Sequence, residues 1–533
     1  MKETTVTILA AAALLTACSD VQPLAQKEWE TTNQERVSVH DPSITYLVDE
    51  EGKESYYIFG SHLAQAKSED LLTWDVPFTV EYENMTANII YGDVEQNLAE
   101  SFEWAGFDDA DSTGKYHLWA PDVIWNDHYK WSDGSEGAYM IYYSASSTWR
   151  RSAIGFAVAK TIEGPFSYSD TVVYSGFTKE DSTDGSERNT HYKNTHIDDL
   201  IKEGKVSAFN DQWAIENGKT YNTDYAPNAI DPALFFDEDN RLWMTYGSWS
   251  GGIYLLEMDA ETGKPYYPGE DSQTTDGRVI DRYFGTKLSG GYHQSGEGPY
   301  IVYDPQTDYY YLFITYGGLS AKGGYNMRLF RSEQPDGPYI DAKGQSPIIE
   351  KGQINEKYGI KLLGNYQFST QKMGYRAAGH NSAFIDKEGQ WYLVFHTRFN
   401  NGSENHEVRV HQMLMNEDGW PVPVPYEYTG QESMADIDNN QVIGSYEVIN
   451  HQTTNGKTML PTETLSLQVD GTISGDHQGS WQMTTDGKIT LVIEDTIYKG
   501  HFLRQMIKES GEEKLTFSAI GDNNSLIWAS KND

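Results

Sequence analysis

The chain has 533 residues, 79 of them acidic and 40 basic, for a formal charge of −39. Such a surface repels polyanions, which argues against nucleic acid as a ligand and against an acidic polysaccharide. With 37 Tyr and 14 Trp the chain is better equipped for a neutral glycan, met by aromatic faces and hydrogen bonds.

In chain order, the first predicted element is an export signal over residues 1–18. Met1-Lys2 precedes an apolar run from Val6 to Leu15 that is too short to span a bilayer as a mature helix. Leu15-Thr16-Ala17-Cys18 resembles a bacterial lipobox. Cys18 is therefore the expected lipidation site, anchoring the exported chain at the cell surface or a periplasmic face. An ordinary secretory signal with an incidental cysteine is the other reading. Cys18 is the single cysteine, so an intramolecular disulfide and a structural thiolate metal site are excluded. Residues 19–35 read as a tether.

From 36 to 430 one sentence is written five times: a polar residue opens an apolar strand, a polar tip turns it, and an aromatic-rich strand returns. His40-Asp41-Pro42-Ser43-Ile44 turns at 49–52 into Tyr56-Tyr57-Ile58-Phe59-Gly60. Ala120-Pro121-Asp122-Val123-Ile124-Trp125 returns as Ala138-Tyr139-Met140-Ile141-Tyr142-Tyr143. Asn228-Ala229-Ile230-Asp231-Pro232 leads through Leu234, Phe235 and Phe236 to a turn at 237–240 and Leu242-Trp243-Met244-Thr245-Tyr246-Gly247. Glu297-Gly298-Pro299-Tyr300 and His380-Asn381-Ser382-Ala383 open the last two. An antiparallel sheet of this size must close or be capped to hide its edges, so five such units predict a five-bladed β-propeller in an all-β protein. Its inner strands would bring Asp41, Asp122, Asp231, Glu297 and His380 to one axis. Two insertions interrupt the rhythm, a helical pattern over 94–104 and a polar stretch over 175–222 with a short helix near 197–203. Residues 431–443 read as a linker. Residues 444–533 carry short alternating runs with tight glycine turns, which predicts a small C-terminal β-barrel or β-sandwich.

Three carboxylates and a histidine at a propeller axis suit glycoside hydrolysis, in which one carboxyl protonates the leaving oxygen and another activates water. The Glu-Gly-Pro motif of Glu297 has look-alikes at Glu163-Gly164-Pro165-Phe166 and Asp336-Gly337-Pro338-Tyr339, which follow outer-strand patterns and read as surface turns.

His40-Asp41-Pro42-Ser43, Trp119-Ala120-Pro121-Asp122, Asn228-Ala229-Ile230-Asp231-Pro232, Ser248-Trp249-Ser250-Gly251-Gly252-Ile253, Gly296-Glu297-Gly298-Pro299-Tyr300 and Gly379-His380-Asn381-Ser382 together resemble the endo-arabinanases of glycoside hydrolase family 43, of the larger two-domain type. The likeness spans roughly residues 39–420. It implies extracellular, endo-acting hydrolysis of α-1,5-L-arabinan or arabino-oligosaccharides with inversion. Asp41 would be the base, Glu297 the acid, and Asp231 a third carboxylate that orients the acid and tunes its pKa. Base and acid would stand about 6.5–9.5 Å apart, leaving room for water. The resemblance further implies substrate contacts from Asp41, Trp119, Asn228, Ala229, Ile230, Asp231, Ser248, Trp249 and Ser250, and a structural calcium ion at the axis beside His380; a monomer is expected. In place of a smaller loop, the chain carries Ser147-Thr148-Trp149-Arg150-Arg151 at the cleft. An exo-acting arabinofuranosidase or xylosidase of the same family, and a non-catalytic glycan-binding lipoprotein, are the alternatives.

Overall fold

The computed structural model describes residues 31–76, 88, 90–106, 118–146, 150–435, 437–484 and 486–532. The export signal and Cys18 lie outside the described residues. Five antiparallel sheets form the blades. Blade I has three strands (Ser43–Val48, Glu54–Phe59, Gln65–Ser68). Blade II has four, starting with Leu118–Lys130, and blade III starts with Ala233–Phe236 and is widened to seven strands by the 264–281 segment. Blades IV and V have four each, starting with Glu297–Asp304 and Tyr375–Ile385. The innermost strands touch their neighbours all the way round, blade V against blade I, so the ring is closed.

The hairpins turn where the sequence places aspartate because the carboxylate satisfies the tip. Asp237 Oδ1 accepts from the backbone N–H of Asp239 (3.0 Å) and Arg241 (2.8 Å). Asp386 does the same for Glu388 and Gln390. Side chains on opposite faces of a strand enter different cores: Tyr142 packs between blades II and III, whereas Tyr143 packs between blades I and II. Similar cores separate III from IV, IV from V and V from I. Both faces being buried explains why the strands read as nearly continuous apolar runs.

Helices over Val94–Asn97 and Ala99–Ala105 pack Val94, Leu98 and Phe102 into the core between blades I and II. The 175–222 insertion buries Phe177, Trp213 and Tyr221 against Tyr283 and Phe284 of blade III. The C-terminal eight strands, Gly444–Asn450 to Leu526–Lys531, close into a barrel, the last pairing with the first. Its interior is filled by Tyr446, Leu465, Ile489, Phe502 and Phe517. The barrel docks on blades IV and V, where Trp528 donates its indole N–H to Pro423 O at 2.7 Å.

Candidate active site

Each inner strand carries a left-handed residue within it or just before it: Asp41 (φ 54°), Ala120 (36°), Asp231 (58°), Gly298 (57°) and His380 (47°). In blades II, IV and V these kinks interrupt the ladder, with register shifts between Trp119 and Asp122, Glu297 and Tyr300, and Gly379 and Ser382. Such bulges re-aim side chains and gather next to sites. Four of the five kinked residues precede proline, which lacks the N–H that a ladder would require and is tolerated at a strand start. The kinks also put the five units in register. Asp41, Asp231 and His380 are equivalent, Glu297 stands one residue before its kink, and Asp122 stands two after.

That offset decides where each group goes. Asp122 sits deeper, where Ser43 Oγ donates to its Oδ1 and the Leu234 N–H to its Oδ2 (2.7 Å), joining blades I, II and III. Burial pushes its carboxyl up to about 6. Below the carboxylates lies an axial cavity of about 20 Å³, lined by Asp41, Asp122, Asp231, Gly298, His380 and Asn381 among others. Gly298 is required there, since a Cβ would lie 2.8 Å from the His380 ring.

Asp41 is buried and its charge is supported on every side. His40 Nδ1 lies 2.8 Å and His380 Nδ1 3.1 Å from its Oδ1, and Ser61 Oγ donates to Oδ2 at 2.5 Å. Its backbone N–H donates to His396 Nδ1 at 3.2 Å. Burial opposes its ionisation, but His380 and His40 hold the carboxyl well below the usual carboxylate range. Asp231 is treated in the opposite way. Burial, with the charges of Glu297 and Asp41, pushes it well above the usual range, against one backbone N–H from Gly298 at 3.1 Å.

Glu297 is half-buried. Trp249 Nε1 and Ser248 Oγ donate to its Oε2 (2.7 and 3.3 Å), and the Tyr325 hydroxyl donates to Oε1 at 2.6 Å. Ser250 is fully buried, with no partner for its hydroxyl. Asn228, Ala229 and Ile230 are buried too, anchored through Ser175, whose Oγ donates to Asn228 Oδ1 and accepts from the Ala229 N–H. Trp119 is half-buried with an unpartnered indole N–H. Ser147, Thr148 and Trp149 lie outside the described residues. Arg150 feels the charge of Glu297, whereas Arg151 is fully buried and bonds Trp104 O and Ala105 O. The Glu163 and Asp336 look-alikes sit away from the axis, Glu163 receiving Tyr57 and Lys67.

Ser61, Tyr325 and Ser144, whose Oγ accepts from the Asp231 backbone N–H at 2.9 Å, escaped the sequence reading. Phe59-Gly60-Ser61 repeats Tyr246-Gly247-Ser248 at the same place in another blade, a signal that aligning the units would have found. His40, Asp41 and His396 offer donor atoms within 4.8 Å of one another, but this nitrogen-rich set does not match an oxygen-seeking cation. Asn381 fits such an ion better: both its amide atoms are buried and unpartnered at the oxygen-rich axial cavity, which is large enough for one ion or water.

Residues 210–421 match the family model for glycosyl hydrolases family 43, and residues 425–529 match its C-terminal lipocalin-like domain. The chain is 39% identical over 508 residues to an extracellular endo-α-(1→5)-L-arabinanase of Bacillus subtilis, covering 93% of each chain. It is 36% identical over 504 residues to its counterpart from Thermotoga petrophila, covering 92% of this chain and 93% of that one. The crystal structure of an endo-1,5-α-L-arabinanase from Thermotoga petrophila aligns with a TM-score of 0.75 at 35% identity, over 95% of this chain and 100% of that one. With a closed five-bladed ring, three carboxyls at its axis and a barrel behind it, the chain belongs to glycoside hydrolase family 43.

Proposed function

We propose that the protein is an endo-acting hydrolase of α-1,5-L-arabinan working by single displacement. Likeness to endo-arabinanases over more than nine-tenths of the chain carries the substrate, and the acid–base chemistry rests on the opposite treatment of two carboxyls in one cleft, Asp41 held ionised by histidines and Asp231 pushed towards its protonated form beside Glu297. Environments that split carboxyls in this way separate an ionised partner, Asp41, from a neighbouring carboxyl pair, Asp231 with Glu297, that keeps a proton. Asp41 takes a proton from water as the water oxygen bonds to the anomeric carbon. Glu297 gives its proton to the leaving O5 as the glycosidic bond breaks, and Trp249 and Ser248 steady the carboxylate that results. Asp231 holds the Gly298 backbone and, by its charge, favours retention of the proton on the pair. Trp119, Trp249 and the 228–231 and 248–250 segments shape the sugar site.

A calcium ion at the axial cavity belongs to this reading, with His380 and Asn381 at its wall and water completing its shell. When bound it would supply fixed positive charge that favours the ionised form of the carboxyls lining the cavity, so the protonated state of Asp231 belongs to the ion-free protein. Export and lipid anchoring through Cys18 complete the reading, supported by the lipobox-like sequence and by relatives named extracellular. Digestion of linear arabinan tests the activity: a ladder of oligomers supports it, whereas arabinose alone points to exo action and no cleavage to a binding protein.

A further inference from the structure

Glu297 presents two oxygens, and holding only one leaves its carboxyl free to rotate. Oε2 is fixed by Trp249 and Ser248, neighbours on one loop of blade III. Oε1 is bonded by Tyr325, from blade IV, at 2.6 Å. Tyr325 is itself immobilised. It is 2% exposed, a Cβ on Gly379 would lie 2.4 Å from its ring, and the His396 ring lies 5.9 Å away. Burial and the charges of Glu297, Asp41 and Asp231 keep its phenol protonated.

The chain on either side of Tyr325 is tied to the barrel. Asn326 Nδ2 donates to Gly324 O (2.8 Å) and to Asn455 Oδ1 (3.1 Å), and Asn455 belongs to the connection between the first two barrel strands. Arg328, fully buried, donates to Asn455 Oδ1 (2.8 Å), to Thr453 O (2.5 Å) and to Asn326 Oδ1 (2.7 Å). A Cβ on Gly324 would meet Asn455 O at 2.7 Å, so barrel and cleft wall are in direct contact. Arg376 adds a second tie, donating to Ala321 O (3.3 Å) and Lys457 O (3.2 Å).

We propose that Tyr325 is a positioning residue that orients the proton-donating carboxyl of Glu297, and that the C-terminal barrel sets Tyr325 through Asn455. The proposal rests on the reading of Glu297 as the acid. A residue that orients the acid matters most when the leaving group needs a proton, which separates it from a residue that merely stabilises the fold.

The test compares linear arabinan with a nitrophenyl arabinotrioside, whose leaving group departs without protonation. Four variants are measured alongside their melting temperatures: Glu297→Ala, Tyr325→Phe, Asn455→Ala and Asn524→Ala. Asn524 is a junction control, bonding Asp341 Oδ2 at 2.7 Å elsewhere on the barrel interface. Tyr325→Phe is expected to lower kcat on arabinan by about 10- to 100-fold, with KM held and the aryl substrate affected only a few-fold. Asn455→Ala should show the same split with a smaller loss on arabinan, about 3- to 10-fold. Asn524→Ala should lower the melting temperature and act on both substrates equally. Equal losses on both substrates for Tyr325→Phe would overturn the positioning role, and an Asn455→Ala that behaves like Asn524→Ala would overturn the link to the barrel. If Glu297→Ala itself shows no split, the acid assignment falls instead.

Discussion

At the scale of the residue, the site separates two aspartates that the sequence presents identically, each followed by proline at the start of an inner strand. Asp41 meets histidines, whereas Asp231 meets Glu297 and low dielectric, so their carboxyls move apart. Asp41→Asn is therefore expected to abolish turnover of arabinan and of activated aryl substrates alike, since no leaving group replaces a base; residual activity on the aryl substrate alone would contradict that role. Asp231→Asn removes the like charge that keeps a proton on the pair, so the basic limb of the pH–rate profile should move to lower pH. A profile merely scaled down would leave Asp231 as a structural contact. Asp41, Asp231, Glu297 and His380 were legible because each opens a repeated hairpin. Tyr325 was not, because it stands just before the third strand of blade IV, Asn326–Ser332, and reaches Glu297 only through the pairing of three strands.

At the scale of the element, the left-handed entry to each inner strand determines which side chain reaches the cleft. Gly298→Ala combines a φ of +57° with a Cβ 2.8 Å from the His380 ring, so a loss of about 1–3 kcal/mol is expected, read as a lower melting temperature with impaired turnover. The hairpins were legible from their aspartate tips and aromatic returns, since the tip carboxylates bond local backbone N–H groups. The equivalence of the openers was not: the sequence reading aligned Asp122 with Asp41, and only the kink at Ala120 shows that Asp122 lies two residues further in and joins blades. Nor does strand patterning distinguish a barrel from a sandwich, because closure depends on the pairing of Gly444–Asn450 with Leu526–Lys531.

At the scale of the whole molecule, the barrel is joined to the ring by buried groups with a defined pH response. His411 stacks on Trp528 at the junction, and burial lowers it to about 4. As pH falls below about 6.5 the unfolded chain takes up a proton before the folded site does, so this contribution is whole above that pH and is lost on approach to about 4, on the order of 3 kcal/mol. His411→Gln should flatten the fall of melting temperature over that interval; an unchanged slope would assign the acid sensitivity elsewhere. A calcium chelator should lower melting temperature and activity together, with recovery on adding calcium and a weaker response in His380→Ala. Identical melting curves with and without chelator would remove the ion from the account. The central claim is single displacement between Asp41 on blade I and Glu297 on blade IV, and it fixes the stereochemistry of the product. Proton NMR of arabinan cleavage in the first minutes, before mutarotation, should show the new reducing ends appearing as the β anomer from an α linkage. Appearance of the α anomer first, or a glycosyl group trapped on Asp41, would make Asp41 a nucleophile and contradict the account.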